Sequence, residues 1–180
     1  MPDDQHLILR PATAQDLTAL LALMDSILGW LVARGRTEQW GAVPFSQMPG
    51  FPERFTEWTS QGAITVAERG GNPVGLLALA PAVPPHIPSG LLPRGALFVH
   101  VIMSDRGPAG QGVGQALLAE ASRRAEARQA PGVGLDHWAG NADLDRVYDK
   151  HGYVKVGEYE VNDDGRTALN SVRIRHLQPA

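Results

Sequence analysis

The stretch from Leu97 to Arg128 limits the fold more than any other part of this 180-residue chain. It opens on a dense apolar run, Leu97 to Met103, interrupted only by His100. A glycine-rich passage follows from Arg106 to Gly114. Gln115 to Gln129 then carries Ala116, Leu117, Leu118, Ala121 and Ala125 at helical spacing. The predicted order is therefore strand, glycine turn, helix. Gly110-Gln111-Gly112-Val113-Gly114 sets three glycines at alternate positions, where backbone N–H groups approach an anion with no Cβ in the way. The dipole of the following helix favours a phosphate or diphosphate there. The same glycines would equally serve a tight strand-to-helix turn without any ligand.

Spacing separates the phosphate motifs. A dinucleotide fingerprint G-x-G-x-x-G places its third glycine on Gln115 when counted from Gly110, and on Leu117 from Gly112. A P-loop ends in Gly-Lys-Ser/Thr, and no lysine stands here. Both fail.

The flanking sequence supplies a mixed α/β pattern. Leu7 to Arg10 reads as an opening strand, and Thr13 with Asp16 has capping-box spacing. Leu17, Leu20, Leu21, Met24, Ile27, Leu28 and Leu31 form one helical face that should close near Arg34-Gly35. Arg36 to Trp58 reads as a loop and a short helix. Ala63 to Glu68 and Val74 to Leu79 are predicted strands joined at Arg69-Gly70-Gly71-Asn72. Pro81 to Gly95 is an irregular connection. Val133 to Trp138 is a further strand, followed by a short helix that Asn141 caps and Gly152 stops. Val154 to Val161 and Leu169 to His176 pair around Asn162-Asp163-Asp164-Gly165. With no composition shift or repeat, the expectation is one domain over residues 1–180.

Composition removes several classes of function. A formal net charge of −3 with no run of like charges argues against a nucleic-acid groove, and would tolerate a cationic amine. The absence of cysteine excludes disulfides, thiolate metal sites and a cysteine nucleophile. Six histidines lack H-x-x-x-H or H-x-H spacing, so no metal is expected. There is no G-x-S-x-G elbow. The polar start Met1 to His6 is unlike a signal peptide, and no apolar run is read as approaching the roughly 20 residues that cross a bilayer. A cytoplasmic protein without a membrane partner is expected.

The glycine passage resembles the acyl-CoA signature of the GNAT superfamily of N-acyltransferases, Arg/Gln-x-x-Gly-x-Gly/Ala followed by an apolar helix. Gly112 and Gly114 fill its glycine positions, and Gln115-Ala116-Leu117-Leu118 opens the helix. The Arg/Gln position holds Ala109, a departure that implies reduced rather than absent affinity. Leu135-Asp136-His137-Trp138-Ala139-Gly140-Asn141, with Val147-Tyr148-Asp149-Lys150-His151-Gly152-Tyr153, is similar to the family's later motif. The resemblance runs from Leu97 to Val156.

That resemblance implies a mixed, mostly antiparallel twisted sheet of six or seven strands with a central splayed parallel pair and about four helices. It implies an N-acetyltransferase that moves an acetyl or other short acyl group from acetyl-CoA to an amine of a small molecule or peptide, and, by family habit, a homodimer. Ile102, Met103 and Ser104 would offer backbone groups to the acyl-pantetheine arm and the thioester carbonyl. Ala109, Gly110, Gln111, Gly112, Val113, Gly114 and Gln115 would hold the diphosphate, Asn141 would steady the arm, and Tyr148 would protonate the departing thiolate. Candidates for the base that deprotonates the amine are His100, Glu68, Asp136 and His137. For His100 the alternative is a core role and for Glu68 a solvated one, while Asp136 and His137 fall on opposite faces of one strand. Trp30 and Trp40 are the candidate acceptor-binding residues; with Phe45 and Trp58 they stack on a substrate, enclose a cationic amine, or form a small core. The alternative reading is an acyl-CoA-binding sensor or partner-binding module without catalysis, which Ala109 favours and Tyr148 opposes.

Overall fold

A computed structural model describes residues 6–163 and 166–177. The expectations that fall on Met1 to Gln5, and on the turn residues Asp164 and Gly165, lie outside the described residues. Seven strands form one sheet in the order β1-β2-β3-β4-β5-β7-β6. They are β1 (Ile8–Pro11), β2 (Ile64–Arg69), β3 (Asn72–Ala80), β4 (Leu97–Ser104), β5 (Gly132–Trp138), β6 (Val154–Asp163) and β7 (Arg166–His176). The ladders β1/β2, β2/β3, β5/β7 and β6/β7 are antiparallel. β4 and β5 run parallel, pairing Leu97 with Val133, Phe98 with Gly134 and Val99 with Leu135. Among the described residues there are four α-helices: α1 (Leu17–Val32), α2 (Phe51–Ser60), α3 (Val113–Ala127) and α4 (Ala142–Lys150). The expected mixed sheet with a parallel pair and four helices is present.

Contacts divide the chain into two compact units. The first comprises Met1–Ala78 and Val101–Leu117. Its core gathers Leu20, Met24, Ile27 and Leu28 of α1 with Phe51 and Phe55 of α2, Ile64 and Val66 of β2, and Val101 and Met103 of β4. The capping box is as predicted: Thr13 donates its N–H to Asp16 Oδ2 at 2.7 Å, ahead of a single 3-10 turn and then α1. Gly35, at φ +66°, closes that helix. The segment Ala14–Val32 is 19 residues long with a mean hydropathy of 1.3, long and apolar enough to cross a membrane by length and composition. This corrects the sequence reading that no run approaches that length. The buried face of α1 within the first unit's core accounts for its apolar residues.

The second unit comprises Leu79–His100 and Leu118–Ala180. The connection after β3 is irregular as expected, yet it contributes Ile87 and Leu92 to a core with Phe98, Val172 and Ile174. Leu92 packs over Gly134 of β5: a Cβ there would stand 2.5 Å from Leu92 Cδ1, so a larger residue would have to move the leucine side chain aside. β7 is the buried strand of the terminal hairpin, with Ser171, Val172, Arg173 and Ile174 all buried.

Candidate functional site

β4, whose residues from Val101 onward belong to the first unit, delivers the chain into the glycine passage. Exposure alternates along the strand: Val99, Val101 and Met103 are buried, whereas His100, Ile102 and Ser104 are half-buried. This period of two places His100, Ile102 and Ser104 on one face; Met103, expected to offer its backbone to the acyl arm, turns its side chain into the core. Asp105 then donates its N–H to Val74 O at 2.8 Å and accepts the Gly107 N–H on Oδ1 at 2.7 Å. A 3-10 turn over Pro108–Gly110 follows.

The three alternating glycines have different causes. A Cβ at Gly110 would lie 1.9 Å from the Asp105 carbonyl oxygen, so the turn closes only without a side chain. Gly112 holds φ +76°, and its carbonyl accepts the Ala116 N–H at 3.1 Å to begin α3. At Gly114 nothing lies within 4 Å of an added Cβ, and φ is ordinary. Neither backbone nor packing demands glycine there, and the first turn of α3 leaves the N–H groups of Val113, Gly114 and Gln115 without α-helical acceptors. The helix thus begins at Val113, two residues before the predicted Gln115, because Gly112 rather than Gly114 makes the turn.

Arg69, at the end of β2, is a residue of the glycine turn's surroundings that sequence reasoning missed. Its Nε donates to Ala109 O at 3.1 Å and its Nη2 to Gln111 O at 3.0 Å. The guanidinium draws two loop carbonyls to one side and brings a cation to a loop whose own Arg/Gln position is Ala109. No local signal links Arg69 to positions 40 and 42 residues away; as sequence it reads only as the start of a hairpin turn.

Glu68 is a corrected expectation. Rather than standing in solvent, it accepts Arg10 Nε at 2.9 Å, while Arg10 also reaches Asp16 Oδ1 at 2.7 Å. The Arg10 hydrogen bond holds the Asp16 carboxyl well below the usual carboxylate range. The tryptophans separate into two groups. Trp40 packs on the core and meets Phe45 edge-on at 5.5 Å, and Trp58 packs there too, against Phe51 at 6.2 Å. Trp30, in the last turns of α1, instead carries the Arg34 guanidinium 3.9 Å from its ring centroid and that of Arg106 at 5.3 Å. Arg106 is exposed as a residue, but its guanidinium is partly desolvated. That desolvation, and then the charge of Arg36, lower its pKa, and Asp105 opposes the shift.

The second unit holds the other motif. Asn141 caps α4, its Oδ1 accepting the Leu144 N–H at 3.1 Å, and Gly152 stops the helix at φ +77°. Tyr148 is only 6% exposed, with its ring 5.3 Å from His137 and 5.8 Å from Tyr153. Burial, reinforced by the negative charge of Asp136, pushes its phenol up to about 12. Asp136 accepts Tyr159 OH at 2.5 Å and Asn170 Nδ2 at 3.0 Å. His137 turns the other way, as strand alternation requires: it is buried, with Nδ1 2.9 Å from Trp138 O and Nε2 3.4 Å from Asp145 Oδ1. Burial lowers its pKa, which favours the neutral ring. Arg173, also buried, donates to Asp149 at 2.5 Å and Asp145 at 2.7 Å. His100 meets Phe98 edge-on at 5.7 Å.

Comparison with known proteins follows this geometry. A family model described as the acetyltransferase (GNAT) family matches residues 23–153. A GNAT-family acetyltransferase from Listeria monocytogenes superposes with a TM-score of 0.72 at 19% identity, over 95% of each chain. A ribosomal-protein-alanine N-acetyltransferase from Brucella melitensis gives 0.70 at 21% identity, over 94% of this chain and 99% of that one. A candidate streptothricin acetyltransferase from Bacillus anthracis, solved with acetyl coenzyme A, gives 0.52 at 20% identity, over 64% and 62%. No curated protein sequence matches this chain.

Proposed function

Because the chain belongs to the GNAT acetyltransferase family, we propose that it transfers an acetyl or other short acyl group from acyl-CoA to an amine of a small molecule or peptide, as a cytoplasmic enzyme. The observation that carries this reading is the glycine turn. Gly114 has an open Cβ direction and no conformational need to be glycine. Beside it lie first-turn N–H groups of α3, and close approach of a diphosphate accounts for both.

In this reading Ala109 to Gln115 take the diphosphate through backbone N–H groups. Arg69 holds the carbonyls of Ala109 and Gln111 away from it. Ile102, Met103 and Ser104 offer backbone groups to the acyl arm. The capping role of Asn141 commits its carboxamide oxygen, so any contact with the arm comes from its amide nitrogen. The acceptor nitrogen attacks the thioester carbonyl, the C–N bond forms, the C–S bond breaks, and the proton lost by nitrogen balances the one gained by sulfur. Tyr148 is the proposed partner of the sulfur. A phenol at about 12 stays protonated at neutral pH. It is nevertheless a poorer acid than an ordinary phenol toward a thiolate whose conjugate acid lies near ~8.5. Its best service is a hydrogen bond to sulfur as charge develops there. His100, sharing the half-buried face of β4 with Ile102 and Ser104, is the proposed base.

The test is thiol release from acetyl-CoA with a panel of amines. Amine-dependent release in the wild type, lowered by about 10²-fold in Tyr148→Phe with CoA affinity retained, is expected. Equal turnover in Tyr148→Phe would make that residue a packing group. Tight binding with no release from any amine would favour the sensor reading.

A further inference from the structure

We propose that Arg34 and Arg106, both held over Trp30, form with the neighbouring Arg36 an oxyanion subsite that receives a carboxylate or phosphate carried by the acceptor amine. The inference rests on the acyltransferase reading and names the class of its acceptor. Three cations are collected here in a chain whose formal net charge is −3. Two of them are fixed on one indole ring, at 3.9 and 5.3 Å from its centroid. The third, Arg36, lies near enough for its charge to oppose that of Arg106. None of the three forms an ion pair among the described residues. The Arg34 guanidinium donates to the Trp30 carbonyl at 3.3 Å, and Asp105, the acidic group acting on Arg106, spends Oδ1 on the Gly107 N–H at 2.7 Å.

Mutual repulsion opposes such a cluster, and partial desolvation of one guanidinium adds to the cost. An oxyanion offsets both, because the planar guanidinium fork matches a carboxylate or phosphate in two parallel hydrogen bonds. The arrangement also reverses the expectation of a cationic acceptor on Trp30, since guanidinium groups already occupy positions over that ring. Arg106 stands three residues ahead of Ala109, where the proposed diphosphate loop begins, but the ring that holds it, Trp30, and its companion Arg34 stand at and just past the end of α1. Trp30 is the candidate acceptor-binding residue, and its place in the cluster favours the acceptor over the diphosphate.

The same chemistry would suit the ribose phosphate of CoA, so the experiment has two arms. In the first, protein saturated with CoA or with dephospho-CoA is titrated with inorganic phosphate while tryptophan fluorescence is followed. The expected result is a saturable response in the millimolar range. It should be the same with either CoA form, absent in Trp30→Phe, and weakened about tenfold or more in Arg106→Ala. In the second, acetyl transfer is compared between amino acids and their carboxamides. The wild type should prefer the acids by about tenfold or more in kcat/KM, and Arg106→Ala should lose that preference.

A phosphate response seen with dephospho-CoA and blocked by CoA would assign the cluster to the donor and overturn the proposal. So would an unchanged response in Arg106→Ala, or equal use of acids and carboxamides. Failure to bind acetyl-CoA with the phosphate response intact would instead remove the acyltransferase reading and leave an oxyanion site.

Discussion

The glycine turn of the first unit and the Asn141–Tyr153 block of the second are built by opposite means. The turn is made of backbone: a missing Cβ at Gly110, a positive φ at Gly112, an open direction at Gly114, and one arginine holding two carbonyls. The block is made of buried side chains, with the Tyr148 and His137 rings 5.3 Å apart at a 38° tilt and Arg173 tied to Asp145 and Asp149. A backbone site depends on residues that have no alternative, and a single added methyl reshapes it. A side-chain site spreads its cost over many partners and responds to pH instead.

The largest expected effect follows from that contrast. Gly110→Ala pushes a Cβ against the Asp105 carbonyl oxygen, a 1.9 Å approach that the turn resolves only by moving. The displaced turn loses N–H bonds to the charged diphosphate, each worth about 1.5–3 kcal/mol, so CoA affinity should fall by about 10²-fold if two are lost. Unaltered affinity in calorimetry would break the comparison at its first member.

The second effect belongs to the block and appears in alkali. Tyr148 is raised from the ordinary 10.0 to about 12, chiefly by burial. Between these values the unfolded chain has lost the proton and the native state keeps it. Stability is therefore fully present below pH 10 and falls as pH rises through 12, by about 2–3 kcal/mol. Tyr153 and Tyr159, also raised by burial, act in the same direction. Denaturant unfolding at a series of pH values should show this slope, shallower in Tyr148→Phe. A flat profile from pH 10 to 12 would mean that the phenols are solvated.

A smaller effect tests the link between turn and hairpin. Arg69→Ala removes the donors to Ala109 and Gln111 and should weaken CoA binding by about tenfold, the order expected for hydrogen bonds to a charged group. Arg69→Lys keeps the charge but cannot serve both carbonyls with a planar fork. Recovery of affinity in that variant would show that charge, rather than loop geometry, is what Arg69 contributes.

The unequal legibility of the two regions has the same origin. The turn could be read in the sequence because at Gly110 and Gly112 only glycine meets its demands, and the capping box at Thr13 and Asp16 was equally plain because its partners are three residues apart. The start of α3 was misplaced by two residues because Gly112 and Gly114 look alike in sequence and only their φ values differ. Tyr148 and Asn141 were visible as a motif, but Asp136, His137 and Arg173 become an environment only when β5 and β7 pair. Arg69 was invisible for the same reason, as was the stacking of Arg34 and Arg106 on Trp30. Trp40 and Trp58, open between substrate and core, pack against the core, because the loop after α1 carries Phe45 and α2 brings Phe51 to meet them.

The central claim is that the glycine turn binds the diphosphate of an acyl-CoA. Calorimetric titration of the wild-type protein with acetyl-CoA, alongside Gly110→Ala, tests it most directly. Saturable one-to-one binding in the micromolar range, lost in the variant, is the result this account predicts. Absence of binding in the wild type, or identical binding in both proteins, would contradict it.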